Sequence, residues 1–105
     1  MKYAVILAPE AVDDLRRLKA NIRATVRTAL LQYLQHQPER TSRSRIKRLR
    51  GLSRPQYRLR VGDVRVFYDV IGNRVEILGI VDKEDAEAWL QRIGEQNENG
   101  GSKRS

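Results

Sequence analysis

Short apolar blocks alternate with polar stretches along the chain and predict one strand, two helices, three further strands and a final helix. Residues 2–8 contain almost no polar side chain, a pattern typical of strands that are buried on both faces. We therefore expect this strand to be central in a sheet or covered by helices. Val12, Leu15 and Leu18 then recur every three residues and predict a short amphipathic helix that begins at Pro9.

A second, longer helix is predicted from Asn21, as its N-cap, to about Gln37. Its apolar residues are spaced three or four apart and are Ile22, Val26, Ala29, Leu30, Tyr33 and Leu34. The two helices together form a hairpin that covers one face of a sheet. We expect Tyr33 to lie in the core and His36, near the helix end, to face solvent.

Three strands with tight turns between them come next. Residues 57–61 and 64–68 flank Gly62 and Asp63, and glycine at this position supplies the positive φ that a hairpin turn needs. A turn at Gly72 and Asn73 leads into the last strand, residues 74–81.

A final helix follows the last strand, with Asp82 as its predicted N-cap and Gly94 as its end. Its apolar face comprises Ala86, Trp89, Leu90 and Ile93. Residues 95–105 are polar and contain glycine, which predicts a disordered tail after a single domain of residues 1–94.

Strand alternation assigns three arginines to one surface of the hairpin. Residues two apart in a strand share a face, so Arg58 and Arg60 lie together, opposite Leu59. Pairing across the turn adds Arg65 to the same surface. Three neighbouring guanidinium groups repel one another unless an anion lies among them, so this surface is either a solvated arginine row or an anion site.

The charge of the chain is concentrated in its middle. The formal net charge is +8, and residues 40–65 hold ten of the 21 Lys and Arg residues but one acid, Asp63. This local excess favours a polyanionic partner, and arginine binds phosphate in a bidentate geometry that lysine lacks.

The loop at residues 38–47 either follows a nucleic-acid backbone or is solvated. A basic membrane-surface helix fits poorly, because residues 40–65 lack helical periodicity.

The composition also limits the chemistry and the location that we expect. The chain has no cysteine and one histidine, so the sequence offers no disulfide framework and no Cys- or His-based metal site. No stretch approaches the length of about 20 apolar residues that a membrane span needs, and the first apolar run is short for a signal peptide. We therefore expect a soluble, cytoplasmic protein that requires no metal or cofactor.

The middle of the chain resembles the central motif of the RelE/ParE toxins of bacterial type II toxin–antitoxin systems. The motif residues are 48–52 (Arg-Leu-Arg-Gly-Leu), 57–60 (Tyr-Arg-Leu-Arg) and 64–68 (Val-Arg-Val-Phe-Tyr). The resemblance covers roughly residues 2–93. It implies an α+β fold in which an N-terminal strand and a helical hairpin pack on a small, mostly antiparallel four-stranded sheet, with a C-terminal helix.

The resemblance also implies an activity, which is metal-independent cleavage of mRNA in the ribosome through attack by the ribose 2′-OH. The catalytic positions of the family fall on Arg58, Arg60, Arg65 and Lys83. The cations between residues 43 and 50, together with a C-terminal aromatic residue, are the expected RNA-binding set. These residues are Arg43, Arg45, Lys47, Arg48, Arg50 and Trp89. The chain departs from the family pattern because arginine replaces the strand lysines and transfers protons poorly. Trp89 replaces a tyrosine, so it either stacks on a base or lies in the core.

Two other functions fit the same resemblance. One is a ParE-like toxin that inhibits DNA gyrase without chemistry, and the other is an RNA-binding relative that does not cleave. The resemblance implies a cognate antitoxin as partner for the toxin, with mRNA and the ribosome as targets of the nuclease. DNA contact is expected only through the antitoxin complex, and no membrane partner is expected.

Overall fold

The computed structural model describes residues 2–96 of the chain, which form an α+β fold. In chain order its elements are β1 (Ala4–Leu7), α1 (Pro9–Arg17), α2 (Ala20–Leu34), β2 (Ile46–Arg48), β3 (Leu52–Arg54), β4 (Tyr57–Val61), β5 (Val64–Ile71), β6 (Arg74–Asp82), a 3-10 turn (Lys83–Asp85), α3 (Ala86–Ile93) and β7 (Glu95–Gln96). No helix among the described residues is long and apolar enough to cross a membrane.

The main sheet has five strands in the spatial order β1-β6-β5-β4-β2. β1 runs parallel to β6, and the other neighbours are antiparallel. The predicted α+β architecture is confirmed, and β2 adds a fifth strand to the four that the pattern indicated. β2 was missed because it has three residues, of which only Ile46 is buried against the core.

The first strand is not buried on both faces, so that expectation was wrong. β1 lies at the edge of the described sheet and pairs with β6 alone. Val5 and Leu7 pack against the core, whereas Ala4 and Ile6 are exposed. The reason is that α3 packs on β5 and β6, on the far face of the sheet, and leaves the outer face of β1 uncovered.

The core lies between α1, α2 and one face of the sheet. Leu15, Val26, Leu30 and Leu34 from the helices meet the buried side chains of the strands, which include Leu59, Val66, Tyr68, Val75 and Ile77. The hydroxyl of Tyr68 donates to the carbonyl of Pro38 at 2.6 Å and thereby ties the loop after α2 to the core. Burial raises the pKa of this hydroxyl, so it stays a donor at neutral pH.

Two predicted helix caps are not made. α2 begins two residues earlier than expected, with Lys19 and not Asn21 at the N-cap position, so Asn21 lies inside the first turn. Asp82, the last residue of β6, occupies the N-cap position of the 3-10 turn that leads into α3, but its side chain makes no capping hydrogen bond. In both cases the strand or the preceding loop continues in an extended conformation up to the helix and fixes where it starts.

The chain continues in regular structure beyond the predicted domain boundary. Gly94 ends α3 as expected, but Glu95 and Gln96 then pair with β3 as a short antiparallel strand. The remainder of the predicted tail, residues 97–105, lies outside the described part of the chain.

Candidate nucleic-acid interface

The hairpin of β4 and β5 brings the three predicted arginines onto one surface. Arg60 is the direct cross-strand partner of Arg65, and Arg58 is the partner of Phe67. Leu59 and Val61, which alternate with the arginines, are buried on the helix side. We call the surface formed by Arg58, Arg60 and Arg65 the arginine face. It lies on the opposite side of the sheet from α1 and α2, as the alternation predicted.

One further cation extends the arginine face toward the edge of the sheet. Lys47 in β2 is the cross-strand partner of Arg58, so its side chain lies on the same side of the sheet. Lys47 is exposed, whereas Arg58 is half-buried between its neighbours.

Arg58 has an unmet hydrogen-bonding requirement. Its Nε is buried and has no hydrogen-bond partner among the described residues. Burial, followed by the positive charges of Arg65 and Arg60, lowers the pKa of Arg58 below its ordinary value. A buried donor without a partner costs about 1–3 kcal/mol. An anion that accepts from this group would therefore relieve both the missing hydrogen bond and the repulsion between the arginines.

Arg65 is held at the hairpin turn by the backbone. Its Nη1 donates to the carbonyl of Gly62 at 2.9 Å and to that of Val64 at 3.2 Å. Gly62 adopts a φ of 58°, as the turn requires, so the carbonyl is fixed in place. These contacts use one nitrogen of the guanidinium group and orient the rest of it.

Lys83 lies at the same turn. Its backbone N–H donates to the carbonyl of Asp63 at 2.8 Å, and its Nζ lies 3.5 Å from Oδ1 of Asp63. Both side chains of this ion pair are more than half exposed, so the pair is readily broken. The structure thus places Lys83 beside the residues that hold Arg65, at the end of the arginine face.

Trp89 is a core residue, and its assignment to RNA stacking was wrong. Only 5% of its surface is exposed, and its ring stacks on Phe67 with centroids 4.8 Å apart and an angle of 7°. Gly79 lies directly against the indole, and a Cβ at that position would overlap it. Phe67 stacks on the indole and Gly79 lies against its Nε1–Cε2–Cζ2 side, so α3 is docked on the sheet and the ring is too buried to stack on a base.

The other predicted RNA-binding residues do not form one surface. The guanidinium group of Arg45 lies 4.7 Å from the ring centroid of Tyr33, and that of Arg48 lies 5.1 Å from that of Tyr57. Both tyrosines pack against the core, so Arg45 and Arg48 lie on the helix side of the sheet, whereas Lys47 lies on the side of the arginine face. Arg43 and Arg50 are exposed in the loops on either side of β2. Arg45 and Arg48 therefore lie on one side of the sheet and Lys47 lies on the other.

A buried carboxylate that the sequence analysis did not single out positions β4. Asp69 is 2% exposed, accepts from the backbone N–H of Gln56 at 2.7 Å, and accepts from Nε of Arg54 at 2.9 Å. Burial raises the pKa of Asp69, while the Gln56 N–H and Arg54 act in the opposite direction. The signal was present, because Asp69 is the one acid in the apolar strand β5.

The Asp69 contacts fix the backbone just before the arginine face begins. The side-chain oxygen of Gln56 accepts from the N–H of Val70 at 3.0 Å, which gives this segment a second attachment to β5. Arg54 also reaches Glu76 at 3.3 Å. Since Gln56 directly precedes β4, these bonds fix the position of the backbone that carries Arg58 and Arg60.

Comparison with known proteins identifies the class. A family model described as the ParE toxin of the type II toxin–antitoxin system parDE matches residues 5–96. No curated protein has significant sequence similarity to the chain. The fold and the family match together define a toxin of a type II toxin–antitoxin system. The chain belongs to the RelE/ParE family.

Solved structures of such toxins share the fold. A chain of the RelBE2 toxin–antitoxin complex from Mycobacterium tuberculosis is 26% identical, with a TM-score of 0.62 over 78% of this chain and 99% of that chain. The archaeal RelE–RelB complex from Pyrococcus horikoshii gives 25% identity and a TM-score of 0.59, covering 79% and 97%. A mutant of E. coli toxin RelE in the free state gives 23% identity and a TM-score of 0.65, covering 89% and 99%.

Proposed function

We propose that this toxin inhibits translation as a ribosome-dependent mRNA endonuclease that binds the scissile phosphate on the arginine face. The observation that carries the proposal is the cross-strand cluster of Arg58, Arg60 and Arg65 with its buried, unpartnered Nε. A phosphodiester supplies the acceptor oxygens and the negative charge that this cluster lacks.

The chemistry proposed for the arginine face is an internal transfer that needs no protein nucleophile. The ribose 2′-oxygen forms a bond to the adjacent phosphorus, and the bond from phosphorus to the 5′-oxygen breaks. The products are a 2′,3′-cyclic phosphate and a 5′-hydroxyl. Negative charge grows on the phosphorane in the transition state, and fixed guanidinium groups stabilise it at the place where it develops.

Lys83 is the residue that we assign to proton transfer. The 2′-OH must lose a proton and the 5′-oxygen must gain one, and arginine side chains retain their protons at neutral pH. Lys83 and Arg65 both contact the β4–β5 turn, through Asp63 and Gly62 respectively. The weak, exposed ion pair with Asp63 leaves Nζ free to move toward a bound phosphodiester.

Inhibition of DNA gyrase is the second candidate function. The matching family model is that of ParE, and the three strand positions at the centre of the site hold arginines, which are poor general bases. Under this alternative the arginine face would contact a protein target and perform no chemistry.

The proposal includes a cognate antitoxin, since solved relatives are complexes of RelE toxins with RelB antitoxins. A groove of about 370 Å³ between β1 and the two helices offers a surface for it. Its floor includes Leu7, Leu15 and Leu30, and its rim is basic, with Arg16, Arg23 and Arg27. Leu31, which also lines the groove, is 50% exposed. An apolar floor with a basic rim suits an acidic amphipathic segment.

Two assays run in parallel with the purified protein separate these functions. In a reconstituted translation system we expect the protein to stop synthesis and to shorten the mRNA. In a supercoiling assay with gyrase we expect no effect at the same concentration. Inhibition of gyrase together with normal translation would overturn the nuclease proposal and favour the alternative.

A further inference from the structure

Two adjoining grooves run along α2 on the helix side of the sheet, away from the arginine face. The first, of about 430 Å³, follows the exposed side of α2 past Thr28 to Val61 and Gly62. The second, of about 450 Å³, continues into the serine- and arginine-rich loop at His36 and Arg40. Tyr33 and Arg45 belong to the walls of both grooves, so the two form one path.

The path begins where the arginine face ends. The carbonyl of Gly62, which lines the first groove, accepts the hydrogen bond from Nη1 of Arg65. Nη1 of Arg45 lies 3.4 Å from the carbonyl oxygen of Arg60, so one backbone strand separates this guanidinium group from the arginine face. An RNA strand that crosses the β4–β5 turn would therefore pass from the arginine face to Arg45.

Arg45, which lines both grooves, is held in a fixed arrangement. The hydroxyl of Ser42 accepts from the N–H of Arg45 at 2.9 Å and from that of Ile46 at 3.3 Å, which folds the loop into a turn. The guanidinium group of Arg45 then lies over the ring of Tyr33. Cation–π contact and the folded turn reduce the freedom that Arg45 would lose when it binds an anion.

The charge of the path favours an anion. Among the described residues, neither groove has an Asp or Glu side chain in its lining, while Arg40 and Arg45 carry two full positive charges. The C-terminus of α2 opposes them with about half a negative charge. The balance of charge along the path remains positive. Hydroxyl groups of Thr41, Ser42 and Ser44 supply further donors for phosphate oxygens.

We propose that these two grooves form a second RNA contact, a track that receives the single strand leaving the arginine face over the β4–β5 turn. We call this path the α2 track. The inference rests on the proposed function, because it assigns a route to the RNA that the arginine face binds. It also gives the cations on both sides of the sheet a common partner: RNA that passes over the β4–β5 turn meets the arginine face on one side and Arg40 and Arg45 on the other.

The test compares binding of short and long RNA by fluorescence anisotropy. An oligoribonucleotide of about four nucleotides fills the arginine face alone, whereas one of about twelve also fills the α2 track. The variants are Arg40→Ala/Arg45→Ala and Thr28→Glu, and the latter changes an exposed helix position to a residue with higher helix propensity. Gln91→Glu, an exposed position on α3, introduces the same charge elsewhere and is the matched control.

We expect both variants to bind the short RNA as the wild type does and to bind the long RNA several-fold more weakly. For the double variant the slope of log K against log salt should fall by about 0.7 for each phosphate that the missing arginines no longer neutralise. Gln91→Glu should match the wild type with both lengths. Wild-type binding of the long RNA by both variants would overturn the track, as would equal weakening with both lengths. Absence of binding to the long RNA by the wild type would also overturn the track, whereas the proposed function is tested separately by mRNA cleavage on programmed ribosomes.

Discussion

Arg60 and Arg65 are direct partners across the β4–β5 hairpin, so two positive side chains share one position of an antiparallel ladder. Like charges at directly opposite positions destabilise a sheet. The third arginine, Arg58, is half-buried beside them and has a lowered pKa because of its burial and for the same electrostatic reason. The clustered arginines therefore lower the stability of the unbound protein and favour the binding of an anion.

Replacing Arg60 with threonine should make the fold more stable and the toxin weaker. The change removes the repulsion with Arg65 and inserts a residue with high strand propensity. We expect the free energy of unfolding, measured by urea denaturation, to rise by about 0.2–1 kcal/mol. RNA affinity, measured by anisotropy, should fall in the same protein. A variant that loses stability would show that Arg60 supports the sheet and not an anion site.

Lys83→Met should lower the cleavage rate far more than it weakens ribosome binding. Loss of a proton-transfer group typically costs a factor of about 10²–10⁴ in rate. Lys83→Arg should keep the charge and the binding without restoring the rate, and single-turnover kinetics on programmed ribosomes would measure both variants. Asp63→Asn removes the ion-pair partner of Lys83 and serves as the control, which we expect to cleave. Full activity of Lys83→Arg would show that Lys83 contributes only its positive charge and does not transfer a proton.

Gly79→Ala should loosen the contact between α3 and the sheet. The added methyl group would overlap the indole of Trp89, and overpacking of this kind costs about 1–3 kcal/mol. Trp89→Leu removes the overlapping atoms, so Gly79→Ala should cost less stability in that background than in the wild type. Urea denaturation of the two single variants and the double variant completes the cycle. Additive costs would contradict direct contact between these residues.

Asp69 should give the stability of the toxin a characteristic dependence on pH. Burial raises its pKa in the folded state above the unfolded value, so the folded state takes up the proton first as the pH falls. The stability of the wild type relative to Asp69→Asn should therefore be greater at about pH 4 than at about pH 7, and should decline as the pH rises through the folded pKa. A relative stability that rises with pH would show instead that the bonds to Arg54 and Gln56 outweigh burial.

Alternation and turn chemistry were sufficient to predict the centre of the candidate site. The period of two in β4 and β5, with Gly62 at the turn, determined that Arg58, Arg60 and Arg65 share a face, and the register confirms it. These signals are local, since neighbouring residues and a single turn fix them. The order of the longer helices and strands was predictable for the same reason, whereas the two- and three-residue strands β2, β3 and β7 were missed.

The errors concern relationships between distant parts of the chain. The apolar composition of β1 resembles that of a central strand, yet whether α3 reaches it depends on packing elsewhere. The environment of Trp89 depends on Gly79 and Phe67, which are ten and twenty-two residues away along the chain. The role of Asp69 depends on Arg54 and Gln56, and nothing in the sequence near Asp69 indicates those partners.

Mapping of mRNA cleavage on programmed ribosomes tests the central claim most directly. The wild type, Arg65→Ala, and Arg74→Ala would be compared, because Arg74 is an exposed strand arginine outside the arginine face and its loss removes the same charge. We predict cleavage by the wild type and Arg74→Ala but none by Arg65→Ala, with all three proteins folded by circular dichroism. The downstream fragment should carry a 5′-hydroxyl and the upstream fragment a cyclic or 3′-phosphate. Intact mRNA with the wild type, or cleavage by Arg65→Ala at the wild-type rate, would contradict the account.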